Sequence, residues 1–223
     1  MKSYIIPICL FFITSSYSAQ QLSIGELSRN AKFIKSIDEL NNGKTKIKYT
    51  DIKGSPFYKK EFSQARAEES QVIFGARYNS FLDTIEIQSG LDIYEVDKEK
   101  PLKNIYFIYT NENLISVPNS GYFFEVVKGK YKLLRKEKTE FFPETPSNNP
   151  IIPSTPARFD ALKPTYYILT ESGDLVKIGK EESIIVNSLD ADKREGVKSF
   201  IKSNKIKLHK EEDLKKLVTF LNQ

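Results

Sequence analysis

The chain has no tryptophan and a single cysteine, histidine and methionine among its 223 residues. One cysteine excludes an internal disulfide framework, and one histidine with it excludes the usual Cys/His zinc clusters. A nucleophile–base pair built on histidine would have to use His209. That residue stands beside Lys210 at the entrance to a helical pattern, where solvated side chains are ordinary, and no nucleophile-elbow sequence accompanies it. An excess of one charge is also missing: 34 Lys and Arg face 29 Asp and Glu, a net +5. So mild a basicity gives no reason to expect a nucleic acid partner. What the chain does have is apolar and aromatic content, 39% hydrophobic with 12 Tyr and 15 Phe. That rules out a low-hydrophobicity disordered chain and suits a β-containing protein of one large domain or two small ones.

The N-terminus carries the strongest local signal. Lys2 precedes an apolar run over 4–14 (Ile5, Ile6, Ile8, Leu10, Phe11, Phe12, Ile13), and the small residues Ser15, Ser16, Ser18 and Ala19 follow. This is the layout of a secretory signal peptide over 1–18. Cleavage after Ser18 puts Ser16 and Ser18 at the small −3 and −1 positions, whereas cleavage after Ala19 would put Tyr17 at −3. The run falls short of the roughly 20 apolar residues that a spanning helix needs, and Pro7 interrupts it. Cys9 would leave with the leader, and Pro7-Ile8 before it are not the small residues that lipoprotein processing requires. An exported chain, periplasmic or secreted, with no transmembrane span is the expectation.

Residues 19–43 are expected as an N-terminal arm. Phe33, Ile34, Ile37 and Leu40 share one helical face, and Asn41-Asn42-Gly43 ends it. From 44 to 140 the pattern is that of a β domain. Alternation over 45–49, 62–67, 71–78, 84–88 and 91–96 predicts strands, with Ile85 and Ile87 inward and Gly54-Ser55-Pro56 as a break. The run 104–110 (Ile105, Tyr106, Phe107, Ile108, Tyr109) is apolar on both faces, so it reads as a central strand covered on both sides. The lysine-rich stretch 128–138 reads equally well as a strand that attracts anionic lipid or polysaccharide and as a solvated edge strand defended by its lysines.

Two segments resemble each other at a spacing of 44 residues. Tyr122-Phe123, Gly129, Tyr131, Leu134 and Lys136-Glu137 are echoed by Tyr166-Tyr167, Gly173, Leu175, Ile178 and Lys180-Glu181. Each reads as a hairpin closed at its glycine. A duplicated ligand-binding hairpin is one reading; the preferred one is two similar hairpins extending one sheet. Between them, 141–164 holds six of the ten prolines and reads as an extended, solvated loop.

The region 165–223 is expected to be the second hairpin followed by helices that pack on the β domain. Ile184, Ile185 and Leu189 have helical spacing. Asp192 and Glu195 fit a capping box ahead of Val197, Phe200 and Ile201, and Ile206 and Leu208 alternate in a short extended piece. In the last helix Leu214, Leu217, Val218 and Leu221 form an i, i+3, i+4, i+7 stripe behind Glu211, Glu212 and Asp213. Such a stripe can dock a partner or a membrane, but it more commonly closes over the protein's own sheet.

Several short matches to catalytic or ligand motifs fail on inspection. Asp190-Ala191-Asp192 starts like a calcium loop, but Arg194 takes the next ligand position. Asn42-Gly43-Lys44-Thr45 resembles the end of a phosphate loop, yet Asp38 replaces its first glycine. Ser199 and Lys202 give a bare S-x-x-K without its companion motifs. No metal, cofactor or catalytic residue is therefore assigned. A pair drawn from the 29 acidic residues remains the one route to hydrolysis of a glycoside.

Gly54-Ser55-Pro56-Phe57 followed by Glu61-Phe62, then Arg77-Tyr78-Asn79, Ile85-Glu86-Ile87 and Glu211-Glu212-Asp213-Leu214-Lys215-Lys216-Leu217 give the chain its resemblance. It resembles a family of exported Bacteroidota-type proteins of unknown function. The resemblance implies export and carries no activity, cofactor or site residue.

The sequence thus predicts an α+β protein: a mainly antiparallel β-sheet, partly closed barrel or sandwich, with a small C-terminal helical cap. The function expected is non-enzymatic binding or an envelope-associated structural role, with an envelope protein or glycan as partner. The alternative is a carboxylate-dependent hydrolase acting on carbohydrate.

Overall fold

The computed structural model describes residues 52–68, 72–146, 151 and 153–223. The leader, the arm and the 45–49 strand expected above lie outside the described residues. Alternating apolar side chains produce strands β1 (Ser63–Ala67), β2 (Ile73–Asn79), β3 (Thr84–Ser89), β4 (Asp92–Glu95), β5 (Asn104–Phe107) and β6 (Glu112–Val117). They continue as β7 (Gly121–Val127), β8 (Lys132–Lys136), β9 (Thr139–Phe142), β10 (Arg158–Ala161), β11 (Thr165–Leu169) and β12 (Leu175–Lys177). Three helices follow: α1 (Glu182–Ser188), α2 (Ala191–Ser203) and α3 (Glu211–Leu221). Ten strands form one sheet in the order β12-β11-β8-β7-β6-β5-β1-β2-β3-β4, with antiparallel neighbours throughout. The mainly antiparallel sheet with C-terminal helices is as expected, but the sheet does not close, so no barrel is formed.

The sheet nevertheless curls. β2 and β7 are four strands apart, about 19 Å if the sheet were flat, yet the Tyr78 and Phe124 rings meet edge to face with centroids 5.9 Å apart. Inside this curl lies one core, including Ala65, Ala76, Ile85, Ile87, Ile105 and Leu114, all fully buried. A second core sits further along the same face, where Leu133 of β8 and Ile168 of β11 meet Ile185, Val197, Leu214, Leu217 and Val218 of the helices. The terminal stripe therefore closes over the protein's own sheet. Burying four such side chains stabilises the fold by about 1.5–3 kcal/mol each, measured against an extended chain. The opposite face carries a smaller cluster of Ile115, Val117, Phe123 and Leu134, to which none of the described helices contributes.

Both repeated segments form hairpins, β7–β8 and β11–β12, and β8 pairs with β11, so they do extend one sheet. Gly129 and Gly173 hold φ of 146° and 93° in their turns, conformations that other residues rarely adopt.

Other expectations are corrected. β8 is interior, paired on both sides, and its lysines serve ion pairs instead of guarding an edge: Lys132 with Glu125 (2.9 Å) and Lys136 with Asp83 (2.8 Å). β5 is central but covered on one face. Ile105 and Phe107 are buried, while Tyr109 beyond the strand is 76% exposed. The proline-rich 141–164 segment contributes to a two-stranded sheet, β9–β10, anchored by buried Phe159 against Phe81 and Phe141. The cap of α2 is Asp190, not Asp192, and makes no side-chain cap bond because its carboxylate accepts the Tyr131 hydroxyl at 2.8 Å. Residues 204–205 and 208–209 are turns, and Ile206 is buried between them without a strand.

Candidate functional site

Two groups of polar side chains stand out, one on each face. The first lies between the two cores. Tyr131, Leu133 and Arg135 share the inward parity of β8, so the alternation that buries Leu133 also directs Arg135 inward. Its guanidinium lies 5.1 Å from the Phe124 centroid and gathers three carboxylates: Glu112 at 2.9 Å, Glu137 at 2.8 Å and Glu211 at 3.4 Å. Arg135 also donates to the Tyr58 hydroxyl at 3.1 Å. Lys59 reaches Glu112 at 2.6 Å, Lys215 reaches Glu211 at 2.9 Å, and Tyr166 donates to Glu211 at 2.8 Å. These residues come from the segment before β1, from β6, β7, β8, the residue after β8 and β11, and from the first two turns of α3. The cluster ties the curled sheet to the helical end.

The carboxylates are not equivalent. Burial pushes Glu137 above the ordinary carboxylate range; Arg135 opposes this, while Glu112 and Glu211 reinforce it. Burial acts in the same sense on Glu112 but is outweighed by hydrogen bonds from Lys59, Thr110 and Tyr58 and by the Lys59 charge, so Glu112 lies low. Glu211 lies low for similar reasons, with burial outweighed by hydrogen bonds from Lys215 and Tyr166 and by Arg135. Opposed shifts of this kind can serve acid–base chemistry. Here, however, each carboxylate is matched to a cation, and the cavity lined by Tyr58, Glu112 and Phe124 holds about 10 Å³, room for one water at most. The arrangement is suited to holding structure together.

The second group lies on the open face. A cross-strand row runs through Arg66, Tyr106, Asn113, Glu125, Leu134 and Tyr167, one residue each from β1, β5, β6, β7, β8 and β11. At strand spacing the row spans about 24 Å. Two hollows of about 590 and 560 Å³ open on this face; the smaller is lined by Arg66, Tyr106 and Asn113 of the row, the larger lies beside it, and the two meet at Glu68 and Asn104 to form a trough. Its walls come from β5–β6 on one side and from the β11–β12 hairpin (Leu169, Asp174, Leu175) on the other. Side chains here include Asn104, Asn111, Asn113, Arg66 and Lys128.

Sequence reading singled out neither group. Arg135 had one available signal, a charge at core parity between Leu133 and the buried side of β8. The trough had a partial signal in the lysine-rich stretch 128–138, of which Lys128 and Lys132 line it; its other members are far apart in the chain. His209 is exposed and belongs to neither group. Ser199 and Lys202 are exposed on α2, and Asp192 is exposed in its first turn. Among the described residues, no three His, Cys, Asp or Glu side chains are arranged to hold a metal ion, and no helix is long and apolar enough to cross a membrane. In comparisons with protein-family models, curated proteins and solved structures, nothing matches the chain, so its functional reading rests on this geometry.

Proposed function

We propose that the chain is an exported, non-enzymatic binding protein of the cell envelope, with the open sheet face as its binding surface. One observation carries the reading: a trough of ligand size lies on the face that none of the described helices covers. The Arg135 cluster supports it from the other side of the sheet. Its carboxylates are occupied by cations beside a cavity of about 10 Å³, too small to admit a sugar ring. Export rests on the leader pattern of 1–18, and the envelope setting follows from export.

The test is to express the full chain with a C-terminal tag in a Gram-negative host, fractionate the cells and weigh the protein. The expected result is a species lacking the first 18 residues, outside the cytoplasm, that co-sediments with washed envelope material. Recovery with Met1 attached in the cytosol, or no retention on envelopes, overturns the proposal.

A further inference from the structure

We infer that the trough binds an acidic oligosaccharide laid across the strands, with Arg66 receiving a carboxylate of the sugar chain. The inference rests on the binding reading above and adds the chemistry of the ligand.

Arg66 is the starting point. Its guanidinium lies 5.0 Å from the centroid of Tyr106, its register partner on β5. Tyr106 is fixed in turn by its hydroxyl, which donates to Asn111 Oδ1 at 2.7 Å. Among the described residues the guanidinium makes no hydrogen bond or ion pair. It is therefore an oriented donor fork with all its N–H groups available, the geometry that suits a carboxylate. Arg135, on the other face, shows the contrast, since three carboxylates surround it.

The charge available to a ligand is local to Arg66. Among the lysines that line the hollows, Lys132 is held by Glu125 of the row at 2.9 Å and Lys128 stands 3.9 Å from the same carboxylate. An anionic group of the ligand therefore meets Arg66. The trough lacks the dense basic stripe that a nucleic acid backbone needs.

The remaining groups suit hydroxyls. Asn111 spends its amide oxygen on Tyr106, and Asn113 spends one amide hydrogen on Glu125 at 2.8 Å. The rest of their amide capacity, with that of Asn104, supplies mixed donors and acceptors. A peptide would ordinarily join a sheet through main-chain bonds at an edge. β5 and β6 are interior, and their ladders are complete on both sides. Recognition at this place must go through side chains, as recognition of a sugar chain does.

The experiment uses the chain as the host processes and exports it, and titrates it calorimetrically with oligogalacturonate, with the same oligomer methyl-esterified, and with oligo-dT. Arg66→Gln and Asn111→Ala are compared with Lys198→Gln on α2, remote from the trough. The expected result is binding of oligogalacturonate that weakens about tenfold with Arg66→Gln and on esterification. Asn111→Ala weakens it less, and Lys198→Gln leaves it unchanged. Thermal melts show each variant folded. Equal binding of the esterified oligomer, tighter binding of oligo-dT, or wild-type affinity in Arg66→Gln overturns the inference. Retention on envelopes without any oligogalacturonate binding overturns it while leaving the binding reading standing.

Discussion

The side-chain amide of Asn222 pairs with both backbone polar groups of Tyr131, a residue 91 positions earlier. Its Oδ1 accepts the Tyr131 N–H at 2.9 Å, and its Nδ2 donates to the Tyr131 carbonyl, also at 2.9 Å. The exchange mimics one rung of an antiparallel ladder, with a side chain in place of a strand. Nδ2 also donates to the Val218 carbonyl at 3.0 Å, and so ties the end of α3 to the β7–β8 turn.

Asn222→Ala leaves both backbone groups of Tyr131 without this partner. The cost is about 2 kcal/mol, one to three for buried polar groups stripped of a bond. A urea melt reads this as a lower midpoint with an unchanged slope. An unchanged midpoint shows that water replaces the side chain fully.

Glu211→Gln and Glu137→Gln move stability in opposite directions near neutral pH. The folded pKa of Glu211 is lowered, so its contribution is present above the ordinary carboxylate range and is lost as pH falls through the lowered value. Its replacement therefore costs about 1 kcal/mol at neutral pH and nothing in acid. The folded pKa of Glu137 is raised, so its contribution is full below the ordinary range and is lost as pH rises through the raised value. Its replacement removes that loss and raises the neutral-pH midpoint, with no difference in acid. Urea midpoints for both variants, followed from about pH 7 down through the acid range, decide the matter, and shifts of the same sign at neutral pH refute it.

Tyr131 makes the fold sensitive to alkali. Burial, then the hydrogen bond to Asp190 and the charge of that carboxylate, push its phenol up to about 12. For a raised phenol the stabilisation is complete below the ordinary value of about 10 and is lost as pH climbs through the folded value. Tyr131→Phe costs about 1 kcal/mol at neutral pH and declines less steeply than the parent above pH ~10. Melting temperatures across that range check it; parallel declines would remove the link to this residue.

Much of the strand layout could be read from the chain. Ile85 and Ile87 had to point to one side because strand side chains alternate, and both are fully buried. The repeated aromatic and glycine positions marked two hairpins, and they are two hairpins. The misreadings share a cause. Lysines in 128–138 look alike whether they guard an edge or pair with acids, and the acids that pair with Lys132 and Lys136 lie elsewhere in the chain, Glu125 on β7 and Asp83 in the β2–β3 turn. Tyr106 counts as apolar in a pattern, yet its hydroxyl finds Asn111 and its ring supports Arg66 on the open face. Asp190 could cap α2 in isolation, but the hydroxyl of buried Tyr131 engages its carboxylate.

By itself the sequence determined which residues alternate, where turns interrupt them and which helix face is apolar, because these follow from backbone periods of two and 3.6 residues. The tertiary structure decided which face of the sheet receives the helices, which strand lies at the edge and which charges meet. Those outcomes depend on pairings such as Arg135 with Glu211 and Arg66 with Tyr106. Residues so far apart in the chain are brought together by the curl of the sheet and the register of its strands, and no local pattern encodes either.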